Sequence, residues 1–256
     1  MVGELHAETA FDNITVRQCL FRGVANLNIM SSAMGGGTLG NFGGIFGNVN
    51  VNSPANGGWT CAACFSDVTL FLRGTTNART NGFGAICGSI SSGGNVSNRS
   101  MAFITCIGRL RVNYDSVATG VFNQPSDFSG ILGRNDTTTA AAGIAVSIAR
   151  CAEFLDVNFN PTQDVQGTQF FNGLHGRSAG RNAVVTSSYA VITYSGEVPS
   201  VVTVNGIGAN VSVSSSFFDI TILREGWSGI VGQEAMGRTT EQLQDINFLT
   251  SQGWVM

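Results

Sequence analysis

The hexapeptide Phe42-Gly43-Gly44-Ile45-Phe46-Gly47 returns four more times along the chain, as Phe83-Gly84-Ala85-Ile86-Cys87-Gly88, Phe128-Ser129-Gly130-Ile131-Leu132-Gly133, Phe171-Asn172-Gly173-Leu174-His175-Gly176 and Trp227-Ser228-Gly229-Ile230-Val231-Gly232. Each copy reads aromatic, small, tiny, aliphatic, variable, glycine. The closing glycines Gly47, Gly88, Gly133 and Gly176 are separated by 41, 45 and 43 residues. A period of this size is the mark of a solenoid or a propeller. Val204-Asn205-Gly206-Ile207-Gly208 reads as the same unit with one residue lost, and Gly3 stands 44 residues before Gly47, in phase with it. On that phase Met1 falls inside a repeat, and the chain is expected to be a piece of something longer.

A second recurrence is locked to the first. Beginning at Cys19, Cys64, Cys106, Cys151, Ser188 and Ser216, each unit enters a stretch of alternating side chains. The apolar or aromatic members of that alternation are Val68 and Leu70, Leu110 and Val112, Leu155 and Val157, Ile192 and Tyr194, and Ile220 and Ile222. Between them stand mostly polar residues, among them Asp67, Thr69, Arg109, Arg111, Thr193, Asp219 and Thr221, with Phe154 an exception. Alternation at period two predicts half-buried strands.

The spacing then shortens, to 32 residues between Gly176 and Gly208 and 24 between Gly208 and Gly232. A propeller blade needs a four-stranded sheet, which 24 residues cannot supply. A β-helix coil stacks only on its neighbours, so its length can vary. The chain is therefore expected to be all-β, a parallel β-helix of about 41–45-residue repeats, with the β-propeller as the alternative fold. Two coils per long repeat would give a rod of roughly 50–60 Å at the usual strand spacing. Ile45, Ile86, Ile131, Leu174 and Ile230 are expected to form an internal aliphatic ladder. Gly44 and its equivalents are expected where backbones approach closely, Gly47 and its equivalents at the positive φ of a turn, and Asn56-Gly57, Asn81-Gly82 and Ser92-Gly93 at corners.

Two regions are expected: repeats over 1–237 and a short helical cap over 238–256. Thr239 and Gln242 stand at capping-box spacing, and Leu243, Ile246 and Leu249 would give that helix an apolar side. With Phe248 and Trp254 it would cover the open end of the stack.

Composition removes several function classes. The chain has no lysine, its 13 cationic side chains are all arginines scattered singly, and the net charge is -3, so no footprint for nucleic acid is present. No apolar run approaches the roughly 18 residues needed to span a bilayer, and no basic segment followed by an apolar one opens the chain. Four of the six cysteines, Cys19, Cys64, Cys106 and Cys151, hold one equivalent position, where Ser188 and Ser216 follow. That pattern reads as a small buried side chain rather than a disulfide framework. Cys61-Ala62-Ala63-Cys64 is a lone C-x-x-C without the second pair that a zinc site needs. On one strand its sulfurs would face opposite ways, so no metal ligand is assigned.

The Gly-Ile-x-Gly strand followed by a Cys or Ser strand resembles the GLUG-type repeat of large microbial surface proteins, adhesins among them. The ending Gly237-Arg238-Thr239-Thr240-Glu241-Gln242-Leu243, with Gly253-Trp254 beyond it, is similar to the segment that commonly follows such repeats. The resemblance covers most of the chain and departs from the pattern at Ala85, at His175 and in the unit before Gly208. It implies a stacked solenoid acting as scaffold, stalk or adhesive surface, and no catalytic centre.

β-Helices also carry polysaccharide-degrading enzymes, for which paired acids would be the signature. Glycoside hydrolysis needs two carboxylates about 5–10 Å apart, and Asp127 with Asp136 or Glu153 with Asp156 are the candidates. Neither pair recurs at one ladder position, so both are expected to be structural. His175 is expected to be a tolerated substitution, with anion binding beside Arg177 on an exposed face as its functional reading; His6 has no evident partner. The five Asn-x-Ser/Thr sequons, at Asn13, Asn95, Asn98, Asn135 and Asn210, would fit a glycosylated exterior.

The expected function is a non-enzymatic structural or adhesive segment of a larger secreted or surface-bound microbial protein. It would meet protein or glycan surfaces through the outer face of the rod, or neighbouring copies or further repeats, without catalytic, cofactor or metal residues. The alternatives are a polysaccharide lyase or glycosidase on the same fold and an intracellular filament-associated component.

Overall fold

The computed structural model describes residues 2–7, 13–30, 41–51, 57–75, 81–92, 99–114, 126–137, 144–159, 169–178, 183–196, 202–221 and 236–252. The strands fall into four sheets whose paired strands run parallel throughout. Sheet A stacks Val2–Ala7, Phe46–Val51, Cys87–Ser92, Leu132–Thr137 and His175–Ser178. Sheet B stacks Asn13–Arg17, Gly57–Ala62, Arg99–Ile104, Ala145–Ala149, Ala183–Thr186 and Val211–Ser214. Sheet C runs Leu20–Met30, Phe65–Thr75, Ile107–Tyr114, Ala152–Asn158, Tyr189–Ser195, Phe217–Asp219 and Gly237–Arg238. Sheet D holds Phe42–Gly43, Asn81–Gly84, Ser126–Ser129, Gln169–Asn172 and Val202–Asn205. The chain visits A, B, C and D in turn and begins again. This is the parallel β-helix that the repeat predicts, and uniformly parallel pairing between successive turns excludes a propeller.

The register shows that each repeat is one coil, not two. Leu20, Phe65, Ile107, Ala152, Tyr189 and Phe217 lie side by side, at separations of 45, 42, 45, 37 and 28 residues. The stack is therefore about 30 Å tall across the seven strands of sheet C, about half the expected rod. The sequence period gives the number of residues per level but not how many sheets a level visits. Four sheets take up the whole repeat. Val2 pairs with Phe46, so Gly3 holds the phase expected of it.

Packing follows the alternation. Val68, Leu70, Leu110, Val112, Leu155 and Ile192 point inward with essentially no exposure, and Ile45, Ile86, Ile131, Leu174 and Ile207 form the second ladder. Ile230 lies outside the described residues. Phe83, Phe128 and Phe171 stack through the centre at 4.9 Å between successive ring centroids, near-parallel contacts within the usual aromatic range. Phe154 faces outward as period two requires, edge-on to Tyr189 at 6.0 Å.

Two sharp corners explain the recurrent motifs. At the D-to-A corner a Cβ on Gly44 would come 2.5 Å from the Ala85 carbonyl oxygen, and one on Gly176 would come 1.6 Å from that of Gly133. Gly44 is thus placed as expected. Gly47 and its equivalents are not: no positive φ is recorded for them, and close backbone contact is what requires glycine at Gly88, Gly133, Gly176 and Gly208. Left-handed backbone occurs instead at the B-to-C corner, at Gln18, Ala63, Thr105, Arg150, Ser187 and Ser215, with φ from 46° to 55°. Such a conformation costs roughly 1–2 kcal/mol for a residue with a Cβ. Here bonds to the next coil hold it, such as Ala63 N–H to the Ile104 carbonyl at 2.9 Å. Asn81-Gly82 opens a strand rather than forming a corner.

Near the C-terminus, helices α1 (Thr240–Gln244) and α2 (Ile246–Ser251) meet at Asp245, which caps the end of one and the start of the other. The capping box of Thr239 and Gln242 is formed in both directions. Arg238 lies over the rings of Phe217 and Phe248, at 4.7 and 5.8 Å, and Thr240 donates to Asp219 at 2.6 Å. The less exposed residues of the two helices are Thr240, Leu243, Phe248 and Leu249; Ile246 is exposed, contrary to expectation. Trp254 lies outside the described residues.

Candidate functional site

Three features carry chemistry: the outer face of sheet C, a group of charges at the D-to-A corner, and the sulfur stack beside the B-to-C corner.

On sheet C the outward residues form rows across coils. Thr69, Arg111, Asp156 and Thr193 share one row, and Asn113, Asn158 and Ser195 share the next. Strand pairing puts these side chains within reach of one another, and they are connected. Arg111 pairs with Asp67 and approaches Asp156 at 3.8 Å, while Arg109 reaches Asp156 at 3.4 Å. Thr193 donates to the same carboxylate. Ser195 donates to Asn158 at 3.0 Å, and Asn158 to Asn113 at 3.4 Å. The rows border an open groove of about 170 Å³ lined by residues of both rows together with Val157 and Tyr194. The surface is polar and held by its own hydrogen bonds, with both donors and acceptors facing outward.

The expected acid pairs resolve differently. Glu153 and Asp156 point to opposite sides of their strand, Glu153 fully buried and Asp156 on the outer face. They form no pair. Asp127 and Asp136 are joined by Arg134, which pairs with Asp136 and lies 3.9 Å from Asp127; Arg177 lies 3.7 Å from Asp127 and over the Phe170 ring at 5.2 Å. The Asp127 side chain is fully buried. Burial pushes its carboxyl up to about 6, against the opposing pull of Arg177 and Arg134.

His175 is not on an exposed face. It takes the inward slot of Phe46, Cys87 and Leu132 and is fully buried. Burial lowers it to about 4, so it is neutral near pH 7, with Nδ1 3.3 Å from the Ala209 carbonyl oxygen. Glu153 is held well above the carboxylate range by burial. Asn135 is buried as well, so that sequon is not presented to solvent. His6 lies within the sheet A strand Val2–Ala7, and its backbone register partner is Asn50.

All six cysteines are free thiols and all but Cys19 are buried. The Cys/Ser position is a hydrogen-bonding device and not only a small side chain. Every member donates to the carbonyl two residues back, from Cys64 to Ala62 at 3.3 Å through Ser188 to Thr186 at 2.8 Å and Ser216 to Ser214 at 2.9 Å. From the fourth level on it also accepts from the previous coil: Cys106 N–H donates to Cys151 Sγ at 3.4 Å, Cys151 N–H to Ser188 Oγ at 3.0 Å, and Ser188 N–H to Ser216 Oγ at 3.1 Å. Thiol and hydroxyl can both donate and accept, which is why the two residue types exchange here.

The C-x-x-C pair breaks the expectation that its sulfurs diverge. Left-handed Ala63 turns the chain between them, and Cys61 and Cys64 are both buried, with Cys106 of the next coil beside them. The three sulfurs lie within 4.8 Å of one another. Aligning the repeats places Cys64 over Cys106, but only the corner geometry brings Cys61 to the same point.

No family model, curated protein or solved structure matches the chain. The likeness to GLUG-type repeats stands on the residues quoted for it above.

Proposed function

We propose that this chain is an adhesive or structural β-solenoid segment of a larger secreted or surface-bound protein, meeting a glycan or protein surface through the outer face of sheet C. The observation that carries this reading is the outer face itself, where Thr69, Arg111, Asp156, Thr193, Asn113, Asn158 and Ser195 form rows linked across coils by their own side chains. Groups already held in place lose little freedom on binding. An extended polymer running along the stack would meet the same spacing, about 4.8 Å, at each level. The resemblance to repeats of microbial surface proteins supports the same reading. Burial of five of the six thiols protects them from an oxidising exterior.

Glycan-array binding by the full chain tests the proposal. Retention on a defined set of acidic or neutral glycans, lost in the double variant Arg111→Ala/Asp156→Ala, is the expected result. Release of new reducing or unsaturated ends, abolished by Asp136→Asn, would replace it with the enzyme reading.

A further inference from the structure

We infer that Cys61, Cys64 and Cys106 form an internal binding site for a soft monovalent cation, Cu(I). The three sulfurs belong to two successive coils and come within 4.8 Å of one another, with Cys61 and Cys106 at 3.9 Å. A metal bonded to three sulfurs in one plane at about 2.3 Å holds them about 4.0 Å apart. Cys61 and Cys106 already have that separation.

The repeat makes the placement of Cys61 informative. Its slot on sheet B is filled at other levels by Val16, Phe103, Ile148, Val185 and Val213. A hydrophobic side chain therefore satisfies the fold there, and the stacked corner position supplies sulfur at Cys64 and Cys106 without it. Only at this level does a third sulfur complete the group, in a site where all three residues are buried.

The donor set selects the ion. Thiolates favour Cu(I) among the biological metals, and zinc ordinarily takes four ligands in a tetrahedron. Three sulfurs in a dry interior suit a low-coordinate soft ion. Binding is ligand exchange without redox: each coordinating thiol loses its S–H proton to water as a Cu–S bond forms, and copper enters and remains as Cu(I).

The test uses the full chain, reduced and anaerobic, incubated with Cu(I) both when folded and during refolding, then desalted against excess glutathione. Wild type is expected to retain one copper per chain, to show sulfur-to-copper charge transfer in the ultraviolet and to melt at a higher temperature than the apo form. Cys61→Val uses the residue found in that slot at other levels, and Cys106→Ser uses the residue that follows at Ser188 and Ser216. Both are expected to fold and to retain no copper. Absence of retention by wild type would overturn the site, as would equal retention by folded Cys61→Val, preferential uptake of Zn²⁺ from an equal mixture, or a Cys61–Cys106 disulfide in place of free thiols.

Discussion

The Cys151 backbone N–H donates to the Ser188 hydroxyl at 3.0 Å, one coil further along the stack. That hydroxyl in turn donates to the Thr186 carbonyl at 2.8 Å, so one buried group closes its own corner and ties it to the preceding coil. Ser188→Ala removes both partners and leaves a buried N–H without an acceptor, which costs about 1–3 kcal/mol. Ser188→Cys keeps a donor and an acceptor and is expected to cost less than half as much. Urea unfolding of the two variants against wild type measures the difference, and equal losses would show that size alone matters at this position.

The D-to-A corner is a steric constraint of a different kind. A Cβ at Gly176 would sit 1.6 Å from the Gly133 carbonyl oxygen, whereas one at Gly23 would meet the far end of the Phe21 ring at 2.7 Å. A ring can rotate away, but backbone paired to coils on both sides cannot. Gly176→Ala is expected to destabilise by more than about 3 kcal/mol, the upper range for overpacking, and Gly23→Ala by about 1 kcal/mol or less. Thermal melts of the two variants separate backbone crowding from ordinary side-chain contact.

These corners also mark how far the sequence is legible. Residues stacked at one level-to-level position face one environment, so the period, the inward ladders of Ile86 and Leu110 and the parallel fold can be read from spacing alone. Left-handed backbone at Gln18, Ala63, Thr105 and Arg150 leaves no such trace, because these residue types announce no positive φ and the bonds that hold them come from the next coil. The same unseen turn brings Cys61 and Cys64 together. The exposed-face reading of His175 fails for another reason: its slot tolerates Phe46, Cys87 and Leu132, and only the burial shows that a histidine there must stay neutral. In the candidate site, the polarity of Asp67, Thr69, Arg109 and Arg111 is readable as outward-facing, but not their links to Asp156 and Thr193, which depend on register.

Two buried groups give opposite pH dependences over nearly the same range. Asp127 is raised from 3.8 to about 6 on folding, so the native state holds its proton more tightly and stability falls as pH rises through that interval. His175 is lowered from 6.5 to about 4, so the unfolded state takes up the extra proton and stability falls as pH drops through the interval between those values. Glu153, held well above the carboxylate range by burial, adds a second slope of the same sign as that of Asp127, so the Asp127 and His175 slopes largely cancel between about pH 4 and 6 only in a Glu153→Gln background. In that background Asp127→Asn is expected to expose the histidine slope, with stability increasing with pH, and His175→Leu, which matches Leu132 in the neighbouring coil, to expose the aspartate slope. Denaturant midpoints from pH 4 to 7 read both, and identical profiles for the two variants would contradict the assignment.

Binding and stability should separate on the outer face of sheet C. Arg111 and Asp156 are each about one-third exposed, and partly solvated ion pairs of this kind contribute roughly 0–1 kcal/mol. Their rows can therefore be altered without loosening the coils, whose interior lies one residue away in Leu110, Val112, Leu155 and Val157. The double variant Arg111→Ala/Asp156→Ala is expected to melt within a few degrees of wild type while its retention on an immobilised glycan or protein surface is lost. Calorimetry and surface-retention measurements on the same preparation distinguish this from general damage. Lost stability together with lost retention would assign these side chains to the fold, whereas preserved retention would move the contact surface away from sheet C.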